Sequence, residues 1–332
     1  MKTFTRDYRI TCSYDTRFEE YMHGSKPCIL DIEATGLDPS KCRVCLVALL
    51  VRTENGVRIT QFLAENHYEE HLVLDAAADF LERENIGYLI TYNGRAYDIP
   101  FINRRLELNY SDRYIDLFDF DLYRYLSKGT DLRKRAGSLR QMAVEDHYGI
   151  FSDRRDTITG RESVTLFNEY ALTGSSTIEK VILTHNREDV LQLHRLMFLA
   201  LDEAADFDAA MAQHGFPSSD GRLVLRPYIS RQNKALRICG EQLRSPVSAA
   251  FFADSGSPLT AVFNRSSSSF EITAPLGVLD DNYYIDASAL GLEIDDDDCI
   301  NGYLILSPRT VNLISSMIAD IILAKLADTG LL

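Results

Sequence analysis

The chain has 332 residues, a formal net charge of −14 and a pI of about 5.0. Its length suits one large domain with a smaller one, and its 45% hydrophobic and 25% charged residues are typical of a globular protein. The acidity argues against a protein that binds polyanions non-specifically over its whole surface, but it is compatible with an enzyme that grips nucleic acid locally.

Three general features predict the cellular setting. No apolar run in the sequence approaches the roughly 20 residues that a membrane helix needs, and the N-terminus lacks the apolar core of a signal peptide. The six cysteines are scattered and do not form a disulfide framework. We therefore expect a cytoplasmic protein without a membrane partner.

Aliphatic and β-branched runs predict four strands in the first third of the chain, at residues 28–34, 42–52, 56–63 and 86–94. Apolar residues recur at helical spacing over 68–83, which predicts a helix between the third and fourth strands. A second helix is predicted over 97–108, with Pro100 in its first turn, where a missing N–H costs nothing. This order of elements favours a mixed sheet.

Helical patterns dominate the middle of the chain, near residues 116–127, 138–147, 161–172 and 177–203. Proline, serine and glycine then accumulate near 215–221, which indicates a domain boundary. Beyond it, short strands around turns precede a last helix. We therefore divide the chain into an N-terminal extension (1–27), a main α/β domain (28–215) and a smaller C-terminal α+β domain of unknown role (216–332).

Two carboxylates close the first predicted strand. Asp31 and Glu33 are two residues apart, and side chains at i and i+2 of a strand point to the same face. A lone pair of this kind is a weak signal, because it can equally be a solvated strand end.

Two further segments supply groups of matching chemistry. Asp98 lies where a predicted strand passes into a helix, and His185 and Asp189 lie four apart on one predicted helix face. Carboxylate oxygens are the ligands that Mg²⁺ and Mn²⁺ prefer. Two such ions about 4 Å apart can stabilise the attacking and leaving oxygens of a phosphoryl displacement, and a histidine can take the proton from the attacking water.

The ordered patterns D-x-E-x-T-G, Y-N-G-x-x-x-D and H-N-x-x-D resemble the three exonuclease motifs of the DEDD superfamily of 3′-to-5′ exonucleases, and in particular the YprB-type ribonuclease-H-like family. The resemblance covers about residues 28–200. It implies an α/β fold, with a ribonuclease-H-like mixed β-sheet flanked by helices. It also implies that two Mg²⁺ or Mn²⁺ ions are bound by four acids, Asp31, Glu33, Asp98 and Asp189.

The resemblance also suggests roles for neighbouring residues. Thr35 and Leu37 match positions that pack beside the terminal nucleotide in the superfamily, and Asn93 matches a polar residue of the second motif, although it can also simply cap a turn. His185 departs from the simplest pattern. Superfamily members usually have a histidine five residues before the last aspartate, or a tyrosine four before it, and here the histidine is four before. We assign His185 as the candidate general base.

The stretch 123–140 reverses the acidity of the chain, with six lysines or arginines and one acid. If it borders the cleft, Arg133, Lys134 and Arg135 contact the phosphates of the substrate; otherwise the stretch is a solvated face. The expected partner is nucleic acid, single-stranded or at its 3′ ends. The sequence does not separate DNA from RNA.

Other functions compete with this prediction. Cys42 and Cys45 form a C-x-x-C pair that invites a zinc site, but no second pair stands at ligand spacing. The main alternative to an exonuclease is a non-catalytic module that binds nucleic acid or protein. A third is an enzyme of the same fold that acts on a mononucleotide or a small phosphodiester.

Overall fold

A computed structural model of the protein describes residues 1–10, 14–156, 158–254, 256–280, 282–294 and 297–332. The chain folds into two compact units, Met1–Ala204 and Ala205–Leu332. The domain limits predicted after residues 27 and 215 stay predictions.

The first unit is built round a six-stranded mixed sheet. Its strands are β1 (Lys2–Tyr8), β2 (Pro27–Ala34), β3 (Val44–Thr53), β4 (Gly56–Leu63), β5 (Tyr88–Thr91) and β6 (Phe118–Asp121). They lie in the order β1-β4-β3-β2-β5-β6. The pairs β1-β4, β4-β3 and β3-β2 are antiparallel, whereas the pairs β2-β5 and β5-β6 are parallel. The mixed sheet is confirmed.

Eight helices accompany this sheet in the described residues, α1 (Thr16–Tyr21), α2 (Glu70–Arg83), α3 (Asp98–Leu108), α4 (Leu122–Gly129), α5 (Leu132–Ala136), α6 (Gln141–His147), α7 (Gly160–Thr173) and α8 (Ser176–Leu199). β3 is buried at every position from Val44 to Val51. A strand that is apolar and buried on both faces needs cover on both sides of its sheet. The flanking helices supply that cover.

One predicted helix is wrong at its start. The residues from Phe118 to Asp121 form β6 and not the first turn of a helix over 116–127. Phe118 and Phe120 alternate with acids, which is strand spacing, and all four side chains are buried. Asp121 then caps α4 by accepting a hydrogen bond from the backbone N–H of Arg124.

The second unit is α+β, as predicted for the C-terminal region. Its helices are α9 (Phe207–His214) and α10 (Pro308–Asp328). Its strands are β7 (Phe216–Pro217), β8 (Leu223–Ser230), β9 (Ala235–Gln242), β10 (Ala249–Phe251), β11 (Thr260–Asn264), β12 (Ser269–Pro275), β13 (Gly277–Leu279), β14 (Asn282–Asp286), β15 (Cys299–Ile300) and β16 (Tyr303–Ile305). They form two antiparallel sheets, β10-β11-β12-β9-β8-β7 and β13-β14-β16-β15.

The helix α10 is long and apolar enough, by length and composition, to cross a membrane. Its buried side chains include Ile314, Ile318 and Ile322, which recur every four residues, and it packs on α9 and β8. This is the pattern of a core helix. The expectation that no apolar segment is long enough to span a membrane therefore did not take α10 into account.

Candidate active site

The acids of the first motif lie on β2. Asp31 is partly buried and Glu33 is buried. β2 pairs with β5 only from Pro27 to Ile29, so the part that carries the two acids has β3 on one side and an open edge on the other. A bulge between Glu33 and Ala34 ends the regular register there. Bulges of this kind often re-aim side chains beside active sites.

Asp98 reaches this open edge from the first residue of α3. Its Oδ1 accepts a hydrogen bond from the backbone N–H of Ile32, at 3.2 Å. The turn before α3 is tight: Asn93 has a φ of +65°, and a Cβ on Gly94 would lie 2.4 Å from the Thr91 side chain. Glycine is therefore required at this turn to bring Asp98 to β2.

The third motif approaches from α8. His185 and Asp189 lie one turn apart, and His185 Nε2 is 3.6 Å from Glu33 Oε1 and 3.6 Å from Asp189 Oδ2. One ligand atom from each of these three residues lies within 4.8 Å of the other two. The three residues can therefore share one metal ion.

The buried Asn186, which follows His185, contacts the first motif, and no role for it was predicted from the sequence. Its Nδ2 donates to Asp31 Oδ2 at 2.8 Å, and its Oδ1 accepts from Gln61 Nε2 at 2.8 Å. Gln61 also donates to the carbonyl of Leu183, at 3.0 Å. This chain of amides fixes one oxygen of Asp31. The signal for it was the asparagine in the H-N-x-x-D pattern, whose side chain faces β2.

The acids interact strongly. Burial raises the pKa of Asp31 well above its usual range, and the charges of Asp189, Asp98 and Glu33 raise it further. Burial likewise raises the pKa of Glu33 to about 7, and the pKa of Asp98 to about 7 despite the bond from Ile32. Carboxyl groups that are crowded together and buried stay protonated until a bound cation displaces the protons. Oxygen donors in this state fit a hard divalent cation.

The surroundings of His185 favour its protonated form in the protein without metal. Burial alone would lower its pKa, but the bond to Asp156 and the charges of Asp189 and Glu33 outweigh it and raise the pKa to about 9. Its Nδ1 lies 2.6 Å from Asp156 Oδ2, so Nδ1–H donates to this carboxylate. At neutral pH, His185 is therefore a hydrogen-bond donor at both nitrogens.

Arg154 is a second buried basic residue beside the acids, whereas its place in the sequence suggested only that it extends the basic stretch. Its side chain is 3% exposed and donates to Asp189 Oδ1 at 2.7 Å, to Asp156 Oδ1 at 2.8 Å and to Glu145 Oε1 at 3.0 Å. The available signal was the charge pattern D-R-R-D at 153–156, which does not distinguish a buried ion pair from a solvated loop.

The loop after β2 carries the predicted nucleotide contacts. Thr35 Oγ1 accepts from the backbone N–H of Arg43 at 2.9 Å, and the hydroxyl of Tyr97 donates to the carbonyl of Gly36 at 3.1 Å. The side chain of Leu37 is 83% exposed. Thr35 thus helps to close the loop, and the loop presents an apolar tip to solvent.

The turn that contains Asn93 has structural contacts of its own. The backbone N–H of Asn93 donates to Asp121 Oδ1 at 2.8 Å. The hydroxyl of Tyr92 donates to the carbonyl of Leu139 at 2.8 Å, which ties the segment after α5 to this turn. The turn therefore links the second motif to the basic stretch, and a substrate role for the Asn93 side chain stays a prediction.

The predicted phosphate contacts lie on α5. Arg133, Lys134 and Arg135 are exposed. Arg133 donates to the Tyr123 hydroxyl at 3.2 Å, and Arg135 pairs with acids that include Asp131. In the part of the chain that the structure describes, none of the three bonds to the acids of β2, α3 or α8. The three residues are exposed to solvent, and their role in substrate binding stays a prediction.

The structure gives the C-x-x-C pair no metal role. Both thiols are free, and the buried Cys45 Sγ donates to the carbonyl of Glu33 at 3.2 Å. Among the described residues, the group that can hold a metal ion contains no cysteine.

The sequence of residues 28–200 matches a known protein family. The RNase_H_2 family model, described as RNase_H superfamily, matches residues 28–200, just over half of the chain. The chain belongs to the RNase_H superfamily. Most members of this superfamily are nucleases, and all four acids of the ordered motifs, with His185, lie inside the matched residues.

One solved structure similar to this RNase_H superfamily chain is the family B DNA polymerase from the hyperthermophilic archaeon Pyrobaculum calidifontis, with a TM-score of 0.42 and 16% sequence identity. The match covers 71% of this chain and 34% of the polymerase chain, so it spans about a third of the polymerase. No curated protein matches the sequence.

Proposed function

We propose that the protein is a divalent-metal-dependent 3′-to-5′ exonuclease that hydrolyses phosphodiester bonds of single-stranded nucleic acid. The observation that carries this proposal is the convergence of Asp31, Glu33, Asp98 and Asp189, three of which have a pKa raised by burial and by one another. Titratable groups perturbed in this way cluster at functional sites.

In this proposal the four carboxylates would hold two Mg²⁺ or Mn²⁺ ions, and Glu33 and Asp189, with His185, are the residues whose ligand atoms lie within 4.8 Å of one another. When bound, such ions stabilise charge on the attacking and leaving oxygens of a phosphodiester displacement. His185 presents Nε2 between Glu33 and Asp189, where it can hydrogen-bond an attacking water or a phosphate oxygen. His185 can accept a proton only after its pKa falls, and positive charge near the imidazole lowers that pKa.

Attack at a 3′ end is supported by the motif resemblance, in which Thr35 and Leu37 match positions beside the terminal nucleotide. The exposed Leu37 can pack against the terminal base, while Arg133 and Lys134 can hold the backbone further along. A single strand suits this arrangement, because an unpaired terminal base is free to stack against an apolar side chain.

The test is a nuclease assay with Mn²⁺ on single- and double-stranded DNA and RNA, labelled at either end. Asp31→Asn and Asp189→Asn should each lower the rate at least a hundredfold. Asp146→Asn, on an exposed face of α6, is the matched control and should keep wild-type activity. Full activity in either site variant, or release of label from the 5′ end first, contradicts the proposal.

A non-catalytic binding module is a second candidate, and one observation favours it. Arg154 and the protonated His185 already compensate part of the acidic charge without any metal. Calorimetric titration with Mn²⁺ separates the two. Binding below millimolar concentrations supports the enzyme, and no binding at millimolar Mn²⁺ supports the module.

A further inference from the structure

The segment between α6 and α7 lies along α8, and its contacts recur down that helix. The carbonyl of Ile150 accepts from Gln192 Nε2 at 3.2 Å, and Asp153 pairs with Arg195 at 3.2 Å. Arg154 then binds Asp189, and Asp156 binds His185, as described above. The segment 150–156 therefore reaches the two polar residues that α8 supplies to the candidate site.

From these contacts we propose that Arg154 and Asp156 are positioning residues, through which segment 150–156 fixes the orientation of the Asp189 carboxylate and of the His185 imidazole. This inference rests on the proposed function, because it assigns how the chain prepares two groups of that same site. Neither residue belongs to the three motifs.

The geometry at Arg154 is specific to a guanidinium. Nε and Nη2 bind the two oxygens of Asp156 at 2.8 and 2.9 Å, while Nη2 also binds Asp189 and Nη1 binds Glu145. A planar fork can hold three carboxylates at once, and a lysine ammonium cannot reproduce that geometry. Since Arg154 binds Oδ1 of Asp189, the oxygen that faces His185 is Oδ2.

Asp156 connects this fork to the imidazole. Its Oδ2 accepts from Arg154 Nη2 and from His185 Nδ1, and its side chain is 3% exposed. With Nδ1 held in this way, the ring turns Nε2 toward Glu33 and Asp189. A carboxylate that binds one imidazole nitrogen fixes the ring orientation and determines which nitrogen remains for chemistry.

The first experiment needs no activity. Protein labelled with ¹⁵N-histidine is examined by NMR without metal, and the His185 signal is assigned with His185→Gln. We expect the Nδ1–H of His185 to be protected from exchange with water in the wild type, because it is buried and bonded to Asp156. An exchanging Nδ1–H in the wild type overturns the proposal, whatever the variants do.

The second experiment compares Asp156→Asn and Arg154→Lys with Arg155→Ala, the exposed neighbour, as matched control. Asp156→Asn should lose the protected signal, weaken Mn²⁺ binding by calorimetry at least threefold, and lower kcat at least tenfold with KM within about twofold. Arg154→Lys should show the same changes to a smaller extent, and Arg155→Ala none of them. Wild-type kcat, Mn²⁺ affinity and NMR signal in Asp156→Asn would refute the proposal.

Failure of the proposed function would look different. If the wild type cleaves no substrate, the exonuclease assignment fails, while the NMR signal and the Mn²⁺ affinity still decide whether Arg154 and Asp156 position the site. If Asp156→Asn does not fold, the wild-type exchange measurement and Arg154→Lys give the decision.

Discussion

Asp98 Oδ1 accepts the backbone N–H of Ile32 at 3.2 Å, at the point where β2 has lost its pairing with β5. The candidate acid thus does two things. It adds a carboxylate to a crowded site, and it satisfies a main-chain donor at an open strand edge. The two roles can be separated by substitution.

Asp98→Ala should be less stable than Asp98→Asn by about 1–3 kcal/mol, because only alanine leaves the Ile32 N–H without its acceptor. Urea unfolding in EDTA measures the difference. At the exposed Asp146, the same pair of variants should differ by less than about 0.5 kcal/mol. Equal stability of the two Asp98 variants would mean that the Ile32 bond contributes nothing.

The stability of the metal-free protein should depend on pH through Asp98. Its pKa rises from the usual 3.8 to about 7 on folding, so the folded state holds the proton more tightly than the unfolded state. The associated stability is fully present below about pH 4 and is lost as pH rises toward 7. Asparagine does not ionise, so Asp98→Asn should match wild type near pH 4 and exceed it near pH 8. Unfolding curves at both pH values in EDTA check this, and a constant difference contradicts it.

Mn²⁺ affinity should rise with pH between about 5.5 and 7.5. Glu33 and Asp98 both hold protons until about pH 7 in the metal-free site, and a cation must displace them. For each proton that metal binding releases, the Mn²⁺ affinity rises about tenfold per pH unit while the pH is below the pKa of the group that loses the proton. Calorimetry at pH 5.5, 6.5 and 7.5, in buffers of different ionisation enthalpy, gives both the affinity and the number of protons. An affinity that does not change over this range would exclude the raised pKa values.

Asn186→Ala should weaken Mn²⁺ binding about tenfold to a hundredfold, because Asp31 loses the donor that orients it. Asn103→Ala is the matched control. Asn103 is also buried, but its side chain bonds to the backbone of Ile115 and not to the acids of the site, among the residues that the structure describes. Both variants should lose stability, and only Asn186→Ala should lose metal affinity. Similar affinities in the two variants would remove Asn186 from the site.

The basic helix α5 should set the salt dependence of substrate binding. Substitution of both Arg133 and Lys134 by alanine should weaken oligonucleotide binding. It should also reduce the magnitude of the slope of log K against log salt by up to about 1.4 for a single strand. Lys180→Ala, exposed on α8, should leave the slope unchanged. Oligonucleotide binding is measured by fluorescence anisotropy in the Asp31→Asn background, which prevents cleavage. A slope equal to that of wild type would show that α5 is a solvated face.

Local patterns predicted the parts of the fold that depend on short-range order. The aliphatic run of β3 and the periodicity of α8 were readable, because burial imposes periods of two and 3.6 residues. β6 was not readable, because its acids are buried beside aromatic residues. Its apolar residues also continue without a break into those of the helix that follows. The three ordered motifs also named the acids that converge on β2.

Contacts between residues that are far apart in the sequence could not be predicted from it. Arg154 and Asp156 lie in a loop without periodicity, and only the folded path along α8 brings them to Asp189 and His185. Asn186 stood in a recognised motif, but its contact with Asp31 spans 155 positions of sequence. Such contacts follow from topology, which spacing alone does not contain.

The dependence of the site on α8 has a consequence for how the protein is made. Asp31, Glu33 and Asp98 leave the ribosome long before Asp189, and until α8 has docked on the sheet these three acids lack the histidine, the amide and the fourth carboxylate that complete their surroundings. If the protein binds Mn²⁺ as proposed, tight binding during synthesis should mark the moment at which the first unit has acquired its native topology. A stalled chain that ends before α8 should bind the ion weakly, and ion uptake can serve as a clock for co-translational folding.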